Sequence, residues 1–229
     1  MAKCCDIIVP HGGYQKLIAY RKSDLIYQGT VLFCRRFMNA FRDRTYDQMV
    51  QAARSCKQNI AEGSAASGTS KETEMKLTGV ARGSLDELKQ DYMDYLNVNH
   101  YQEWSVDDPR KVFARNYSVN NPDWCSWEQI FKSRPADTYC NLMLIIIYQT
   151  MYLLDKMLER QESDFAFYGG IRERMYNARK NNLSENSWSI SLGMRLSSAQ
   201  NIAQLSQFVN EIMQFTTMME ANIRHKRNW

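Results

Sequence analysis

The chain has 229 residues, 44% of them hydrophobic, and its formal net charge is +4. With only ten Gly and four Pro, it is expected to be helical, which excludes a sandwich or barrel of many short strands joined by turns. The mild positive charge permits an anionic partner but does not require one.

The chain is expected to work in a reducing cytoplasm and not in a membrane. Its six Cys show no framework spacing, and its first ten residues lack the long apolar region of a signal peptide. The longest apolar run, Leu142 to Tyr148, is too short to span a bilayer. Three cysteines lie in apolar helical patterns and are predicted to be reduced core residues: Cys34, Cys56 and Cys140.

The first helix is predicted to run from Tyr14 to Phe41, after an N-terminal arm at residues 1–13. Its apolar residues repeat every seven positions, which is typical of a helix that packs in a bundle. Two series carry this seam: Ile18, Leu25 and Leu32, and Tyr20, Tyr27, Cys34 and Phe41.

The second helix is predicted to run from Thr45 to Glu62. Thr45-Tyr-Asp-Gln48 matches a capping box, and Gly63 is predicted to end the helix as a C-terminal cap. A short loop over residues 64–68 follows. The apolar stripe of this helix is Met49, Ala53, Cys56 and Ile60.

The third helix is predicted to run from Ser70 to Asn97, behind a capping box at Thr69-Ser-Lys-Glu72. Gly79 and Gly83 lie one turn apart in it, and each costs about 1 kcal/mol relative to Ala in a helix interior. We therefore expect another backbone to approach closely at these glycines. The apolar stripe is Leu77, Ala81, Leu85, Leu88, Tyr92 and Tyr95.

Residues 101–135 are predicted to be an irregular connection. The sequence there is polar and aromatic, with two Pro and no clear period, although its aromatic residues are compatible with packing. Ser126-Trp-Glu-Gln129 matches another capping box. Residues 136–229 are predicted to supply a fourth helix, Ala136 to Arg160, which is apolar nearly all round, and a helical C-terminal extension. In that extension a last helix is expected from Ser197, followed by a basic tail.

Motifs on both sides of the loop between the second and third helices resemble a known family. NIAEG spans Asn59 to Gly63, ARGSLDEL spans Ala81 to Leu88, and YQKLIAYRKS (Tyr14 to Ser23) is similar to the family's opening helix. Together they resemble the four-helix-bundle proteins encoded in 23S rRNA intervening sequences. That family includes the accessory variability determinant of diversity-generating retroelements.

The resemblance covers about residues 14–100, and it departs from the family in the polar residues 55–58. The chain continues for more than a hundred residues beyond it, which is similar to longer members with a C-terminal suffix region. The resemblance implies a homo-oligomer, often a pentamer, with a basic surface, and partnership with a reverse transcriptase and its template RNA or cDNA. The motif residues with implied structural roles are Asn59, Glu62, Gly63, Arg82, Gly83, Ser84 and Glu87.

The pattern of helices predicts an all-α protein, an antiparallel up-down four-helix bundle with a helical C-terminal extension. In the bundle, Asn59 is unusual because helix interiors rarely favour Asn, and both a functional and a structural role are open. We favour the structural one, in which Asn59 bonds a neighbouring helix and Glu62 pairs with Arg82 across the loop. The same interpretation applies to Arg54 and Ser84.

No arrangement of residues indicates catalysis or a cofactor. The chain has three scattered His and neither C-x-x-C nor H-x-x-x-H, so a metal site is not expected. Residues 63–68 lack the G-K-[ST] of a phosphate loop, and no Cys or Ser has an evident base. Asp86-Glu87 and the Asp91/Asp94 pair are interpreted as a solvated helix face. We therefore predict neither an enzyme, nor a cofactor, nor a small-molecule substrate.

Charge is distributed unevenly along the chain. Residues 14–58 carry nine Lys or Arg against three acids, whereas residues 70–97 carry four against six. One interpretation is attraction between neighbouring helices or subunits, and the other is a basic surface for a phosphate backbone without a base-reading motif. The nine candidate phosphate contacts are Lys16, Arg21, Lys22, Arg35, Arg36, Arg42, Arg44, Arg54 and Lys57.

Two hypotheses about function follow. In the first, the chain is a non-enzymatic, oligomeric accessory factor that holds RNA or DNA on its basic helices and offers its acidic third helix to a basic protein partner. In the second, it is a structural assembly module whose C-terminal helices dock another protein without nucleic acid.

Overall fold

The computed structural model describes residues 12–180 and residue 183, and among these it is all-α, with no strand. The predictions for residues 1–11, for the last helix from Ser197 and for the basic tail lie outside the described residues. The chain divides into two compact units, residues 1–174 and residues 175–229. The elements below belong to the first unit, and the described residues of the second are helical.

Six α-helices both begin and end within the described part of the first unit. A short 3-10 turn, Tyr14–Lys16, is separated from the first helix by Leu17, whose backbone is extended. The first helix therefore starts later than predicted, and it also ends earlier, whereas α2 and α6 run beyond their predicted ends. The bounds are α1 Ile18–Phe37, α2 Thr45–Ala66, α3 Lys71–Val98, α4 Pro109–Asn120, α5 Trp124–Ser133 and α6 Ala136–Tyr168.

The prediction of an irregular connection at residues 101–135 is wrong, because α4 and α5 lie within it. Pro109 occupies the first position of α4, where its missing N–H costs no helical hydrogen bond. The Asp108 carboxylate caps this helix by accepting a hydrogen bond from the Arg110 backbone N–H at 2.8 Å. In α5, Trp127 and Phe131 are buried. The proline thus marks the start of a helix and not a linker.

The predicted capping boxes are also corrected. The α3 cap is Ser70, one residue later than predicted, and its Oγ accepts from the Thr73 N–H at 3.1 Å. At α2, the Thr45 N–H is satisfied by the Asp43 carboxylate at 3.0 Å. Ser126 lies inside α5 and caps nothing, since that helix begins two residues earlier.

The glycines behave differently from the prediction. Gly63 is buried inside α2, and a Cβ placed there would lie 3.4 Å from both the Glu74 carbonyl oxygen and the Leu77 Cβ of α3. A Cβ at Gly79 or Gly83 would meet nothing within 4 Å. The close approach of backbones predicted at Gly79 and Gly83 is therefore wrong, and it occurs at Gly63, between α2 and α3.

The apolar stripes predict the core well in the middle of each helix. Every residue of the predicted α2 stripe is buried, as is every residue from 139 to 147 in α6. The α1 seam fails at its ends, since Ile18 is half-exposed and Phe41, which lies beyond the helix, is fully exposed. The three predicted core cysteines, Cys34, Cys56 and Cys140, are confirmed as buried.

All six helices contribute buried residues to one hydrophobic core. Helix α1 packs against α2 and α6, α2 packs against α3, and α3 packs against α6, while α5 lies on α1 and α4 on α6. At the centre, the Tyr139 hydroxyl donates to the Gly29 carbonyl at 2.7 Å, and the Tyr92 hydroxyl bonds the Thr30 hydroxyl at 3.1 Å. None of the helices in the described part of the chain is long and apolar enough for a bilayer.

Candidate nucleic-acid interface

Lys22 does not belong to any surface, although it was predicted to contact phosphate. Its side chain is 3% exposed, and its ammonium donates to the Ser118 carbonyl and hydroxyl, both at 2.7 Å, and to the Gln149 Oε1 at 2.8 Å. Burial lowers the pKa of Lys22 to about 8, because the interior disfavours the charged form. Lys22 therefore ties α1 to α4 and α6.

Two other predicted cations are held by carboxylates. Arg21 makes a two-point contact with Asp123, with its Nε 2.7 Å from Oδ1, and this hydrogen bond lowers the pKa of Asp123. The Lys57 ammonium lies 3.0 Å from the Asp24 carboxylate and 4.7 Å from the centre of the Tyr27 ring. These contacts join α1 to α5 and to α2, and they favour a structural role for both cations.

A cluster of exposed cations remains at the connection between α1 and α2. Arg35 and Arg36 lie in the last turn of α1, and Arg42 and Arg44 lie in the seven residues that separate it from α2. The negative end of the α1 dipole favours Arg35 and Arg36, which is a structural explanation for these two but not for Arg42 and Arg44.

Arg36 connects this cluster to a second connection, between α5 and α6. Its guanidinium donates to the Phe131 carbonyl and, at 3.2 Å, to the Arg134 carbonyl, and it lies 4.6 Å from the Phe37 ring centre. Arg134 is itself exposed. We call Arg35, Arg36, Arg42, Arg44 and Arg134 the basic end of the molecule.

Lys16 and Arg54 are exposed but lie apart from the basic end. Lys16 precedes α1, whereas Arg35 is in its last turn, and the helical rise between Ile18 and Arg35 is roughly 25 Å. Arg54 lies midway along α2. The structure therefore brings together four of the nine predicted cations and leaves five elsewhere.

Sequence reasoning missed Arg134 and the aromatic pocket beside it. The pocket has a volume of about 460 Å³ and lies between α4, α5 and α6, with Trp104, Phe113, Tyr117 and Trp127 in its walls. The signal was present in the sequence, since Asp108-Pro109 has the form of a capped helix start and Phe113 and Tyr117 lie four residues apart on one helix face.

The family-motif residues lie around the contact of α2 with α3. The Asn59 amide donates to the carbonyl and hydroxyl of Ser55, at 2.8 and 3.1 Å, and the Ser55 hydroxyl lies 2.9 Å from that of Ser84. Ser84 also donates to the Val80 carbonyl at 3.0 Å. Asn59 thus bonds its own helix, contrary to prediction, and reaches α3 only through Ser55.

The predicted pair between Glu62 and Arg82 is absent. Glu62 is exposed on α2, whereas the Arg82 Nε donates to the Asp155 carboxylate of α6 at 2.9 Å. A second carboxylate, that of Asp86, lies 3.9 Å from Arg82. Arg82 therefore links α3 to α6, and the motif that carries it contributes to helix packing.

Glu87 lines an acidic cleft between α2 and α3. The cleft has a volume of about 640 Å³, and Asp47 and Asp91 line it together with Glu87. Burial, with repulsion from Asp94 and Glu87, raises the pKa of Asp91 to about 6. The acidic cleft lies between α2 and α3, and it adjoins the basic end at the start of α2, where Asp47 is three residues from Arg44.

Comparisons with protein families, with curated proteins and with solved structures find no match for this chain. In residues 12–180, no group of three or more His, Cys, Asp or Glu side chains is arranged to hold a metal ion.

Proposed function

We propose that the chain is a non-enzymatic accessory factor that binds RNA or DNA through its basic end. The observation that supports this most is the contact of Arg36 with the carbonyls of Phe131 and Arg134, because it holds the last turn of α1 against the connection that carries Arg134. Arginines grouped in this way can neutralise several phosphates of one strand, without any readout of sequence.

We further propose that α1, α2, α3 and α6 form an antiparallel up-down four-helix bundle. The cyclic order of their contacts and the short connections after α1 and α2 support this topology. Membership of the family encoded in 23S rRNA intervening sequences is part of the same proposal. The bonds among Asn59, Ser55 and Ser84 support it, since they give the NIAEG and ARGSLDEL motifs a joint role in packing.

If the chain belongs to this family, two further proposals about its assembly follow. The chain would form a homo-oligomer, with a pentamer expected, and would partner a reverse transcriptase and its template RNA or cDNA in the cytoplasm. The acidic cleft between α2 and α3 suits a basic protein surface, whereas the basic end would remain for nucleic acid. Light scattering of the purified chain tests the subunit number.

The position of the interface is tested by removing two charges from the basic end. We would combine Arg35→Gln with Arg134→Gln and keep Arg36, because Arg36 holds the carbonyls of the α5–α6 connection. The matched control, Lys76→Gln with Arg160→Gln, removes two exposed charges from α3 and α6. Binding to a hairpin RNA and a duplex DNA is then titrated at several salt concentrations.

The expected result is a change in salt dependence as well as in affinity. Each lost phosphate contact should reduce the magnitude of the slope of log K against log salt by about 0.7 to 0.9. The basic-end variant lacks two such contacts, so its slope should be smaller in magnitude by about 1.4 to 1.8. The control should keep the slope of the parent protein. Equal slopes in all three proteins would place the interface elsewhere.

An assembly module that docks a protein without nucleic acid is the second candidate. An apolar groove of about 650 Å³ between α1, α4 and α6 favours it. The groove is surrounded by exposed apolar side chains: Ile18, Val106, Val119, Tyr148 and Tyr152. A purified protein that is free of absorbance from nucleic acid and binds none at low salt would support this candidate over the first.

A further inference from the structure

The aromatic pocket beside the basic end has one unusually placed side chain. Phe113, on α4, is 72% exposed, although it lies at the mouth of a pocket whose walls include the nearly buried Trp104 and Trp127. Its ring is nearly parallel to that of Tyr117, with an angle of 16° and 6.2 Å between centres. The pocket therefore presents an accessible flat ring next to apolar walls.

The charged side chains that line this pocket are arginines. Two arginines, Arg110 and Arg134, line it together with the aromatic rings, and no acidic side chain of the described residues does so. The Arg110 guanidinium lies over the Trp104 ring at 4.5 Å and is also paired with Asp108 at 2.7 Å. Arg134 belongs to the basic end, since its carbonyl accepts a hydrogen bond from Arg36. The pocket thus opens beside the proposed phosphate contacts.

We propose that this pocket takes one unstacked base of a single-stranded RNA or DNA whose phosphates lie on the basic end. The base would stack on Phe113, and Arg110 and Arg134 would face the flanking phosphates. A duplex cannot be bound in this way, because its base faces are covered by stacking. The inference rests on the proposed function and narrows it, since it names single strands or unpaired loops as the ligand.

The combination of features favours a base over an apolar peptide side chain. An apolar peptide would gain from the walls of the pocket but not from the two arginines at its margin. A nucleotide uses both, because every base has a flat apolar face and is linked through its sugar to a phosphate. Base–aromatic stacking also tolerates any base, which agrees with the lack of a base-reading motif in the sequence.

The test compares Phe113→Ala with Phe167→Ala in the full-length chain. Phe167, on α6, is 78% exposed and does not line the pocket, so it is a matched control. Neither change removes a buried side chain, and both variants are expected to fold. The probes are a uridine homopolymer, a thymidine homopolymer and an abasic phosphodiester strand of the same length, which measures phosphate binding alone.

We expect the parent protein to bind at least one base-bearing strand more tightly than the abasic strand. Phe113→Ala should weaken that binding by about 5-fold to 150-fold, which is the range for the loss of one stacked base, and should leave binding of the abasic strand unchanged. Phe167→Ala should change neither the binding of the base-bearing strands nor that of the abasic strand. The two base-bearing probes show whether uridine ribonucleotides or thymidine deoxyribonucleotides are preferred.

The negative outcomes separate the two proposals. If no strand binds, including the abasic one at low salt, the proposed function fails and this inference fails with it. If all strands bind with equal affinity and Phe113→Ala binds like the parent, the phosphate interface stands and the base pocket is refuted. Equal weakening of base-bearing and abasic strands by Phe113→Ala would also refute it.

Discussion

Replacing Lys22 with Met tests how the buried ammonium affects stability. Lys22 has only uncharged partners, the carbonyl and hydroxyl of Ser118 and the amide oxygen of Gln149. Within the described part of the chain no carboxylate lies within 4 Å of it. Methionine is similar in length and apolar, so the substitution removes the charge while filling most of the space.

The expected effect depends on pH in a definite direction. The pKa of Lys22 falls from 10.5 to about 8 on folding, so below pH 8 the folded protein pays the full cost of a buried charge. As pH rises, the folded state loses this proton before the unfolded state does, and the cost disappears by about pH 10.5. Between about pH 7 and about pH 10 the change is about 2.5 kcal/mol in the free energy of unfolding.

The stability of Lys22→Met at neutral pH alone is a poor test. Relief of the buried charge is opposed by the loss of three hydrogen bonds, because the Ser118 and Gln149 acceptors left unpaired cost about 1 to 3 kcal/mol. These two terms have opposite signs, so the stability at a single pH does not separate them. The informative quantity is the difference in unfolding free energy between the variant and the parent, which should fall by about 2.5 kcal/mol between about pH 7 and about pH 10.

Urea denaturation of both proteins under reducing conditions, at several pH values, measures this difference. Burial also raises the pKa of other groups, among them Cys34, to about 12, and Tyr92, but these titrate alike in both proteins and cancel. Lys16→Met is the matched control, since it removes an exposed ammonium and should show a flat difference. A flat difference for Lys22→Met as well would mean that Lys22 is hydrated in the folded protein, and our account of its burial would be wrong.

Two further predictions concern packing and thiol reactivity. Gly83→Ala should raise the free energy of unfolding by about 0.5 to 1 kcal/mol in a melting experiment, because its Cβ meets open space; destabilisation would show an unrecognised contact. Gly29→Ala should lower it by about 1 to 3 kcal/mol, because its Cβ would lie 2.9 Å from the sulfur of the fully buried Met143. In alkylation followed by mass spectrometry, the exposed Cys125 should react in the folded protein, whereas the buried Cys34, Cys56 and Cys140 should react only after unfolding; early labelling of Cys56 would contradict its burial.

The helices of the first half could be predicted from sequence because their signal is local. The stripe Met49, Ala53, Cys56 and Ile60 repeats within one helix, and burial of that face follows from the repeat alone. Burial of α6 follows from a different local signal, since the sequence from Ala136 to Arg160 is apolar nearly all round. The prediction of an irregular connection around Pro109 is wrong because Asp108 and Pro109 together form the capped start of α4.

The site could be predicted only in part, because contacts distant in sequence decide which cations stay exposed. Lys22 and Arg35 both belong to the first helix and look equally basic in the sequence. Lys22 is buried because its acceptors, Ser118 and Gln149, lie 96 and 127 residues away in the chain. Arg134 joins the basic end through a contact that spans 98 residues. Neither the burial of Lys22 nor the position of Arg134 can be predicted from a local sequence pattern.

The glycines show the same limit. A glycine within a helix can mark a place where a neighbouring element packs closely. The sequence does not show which element that is. The neighbour of Gly63 is α3, whose approach depends on the loop between the helices, whereas Gly79 and Gly83 face open space. The sequence could thus predict that some glycine permits close packing, but not which one.

The measurement that tests the central claim most directly is the salt dependence of nucleic-acid binding by the parent protein. With several arginines of the basic end on phosphates, binding to a hairpin RNA or an unpaired strand should be micromolar or tighter at low salt, and log K should fall steeply and linearly with log salt. A slope steeper than about −2, which corresponds to roughly three neutralised phosphates, is the predicted result. Absence of binding at low salt would contradict the account and leave the basic end as a docking surface for protein.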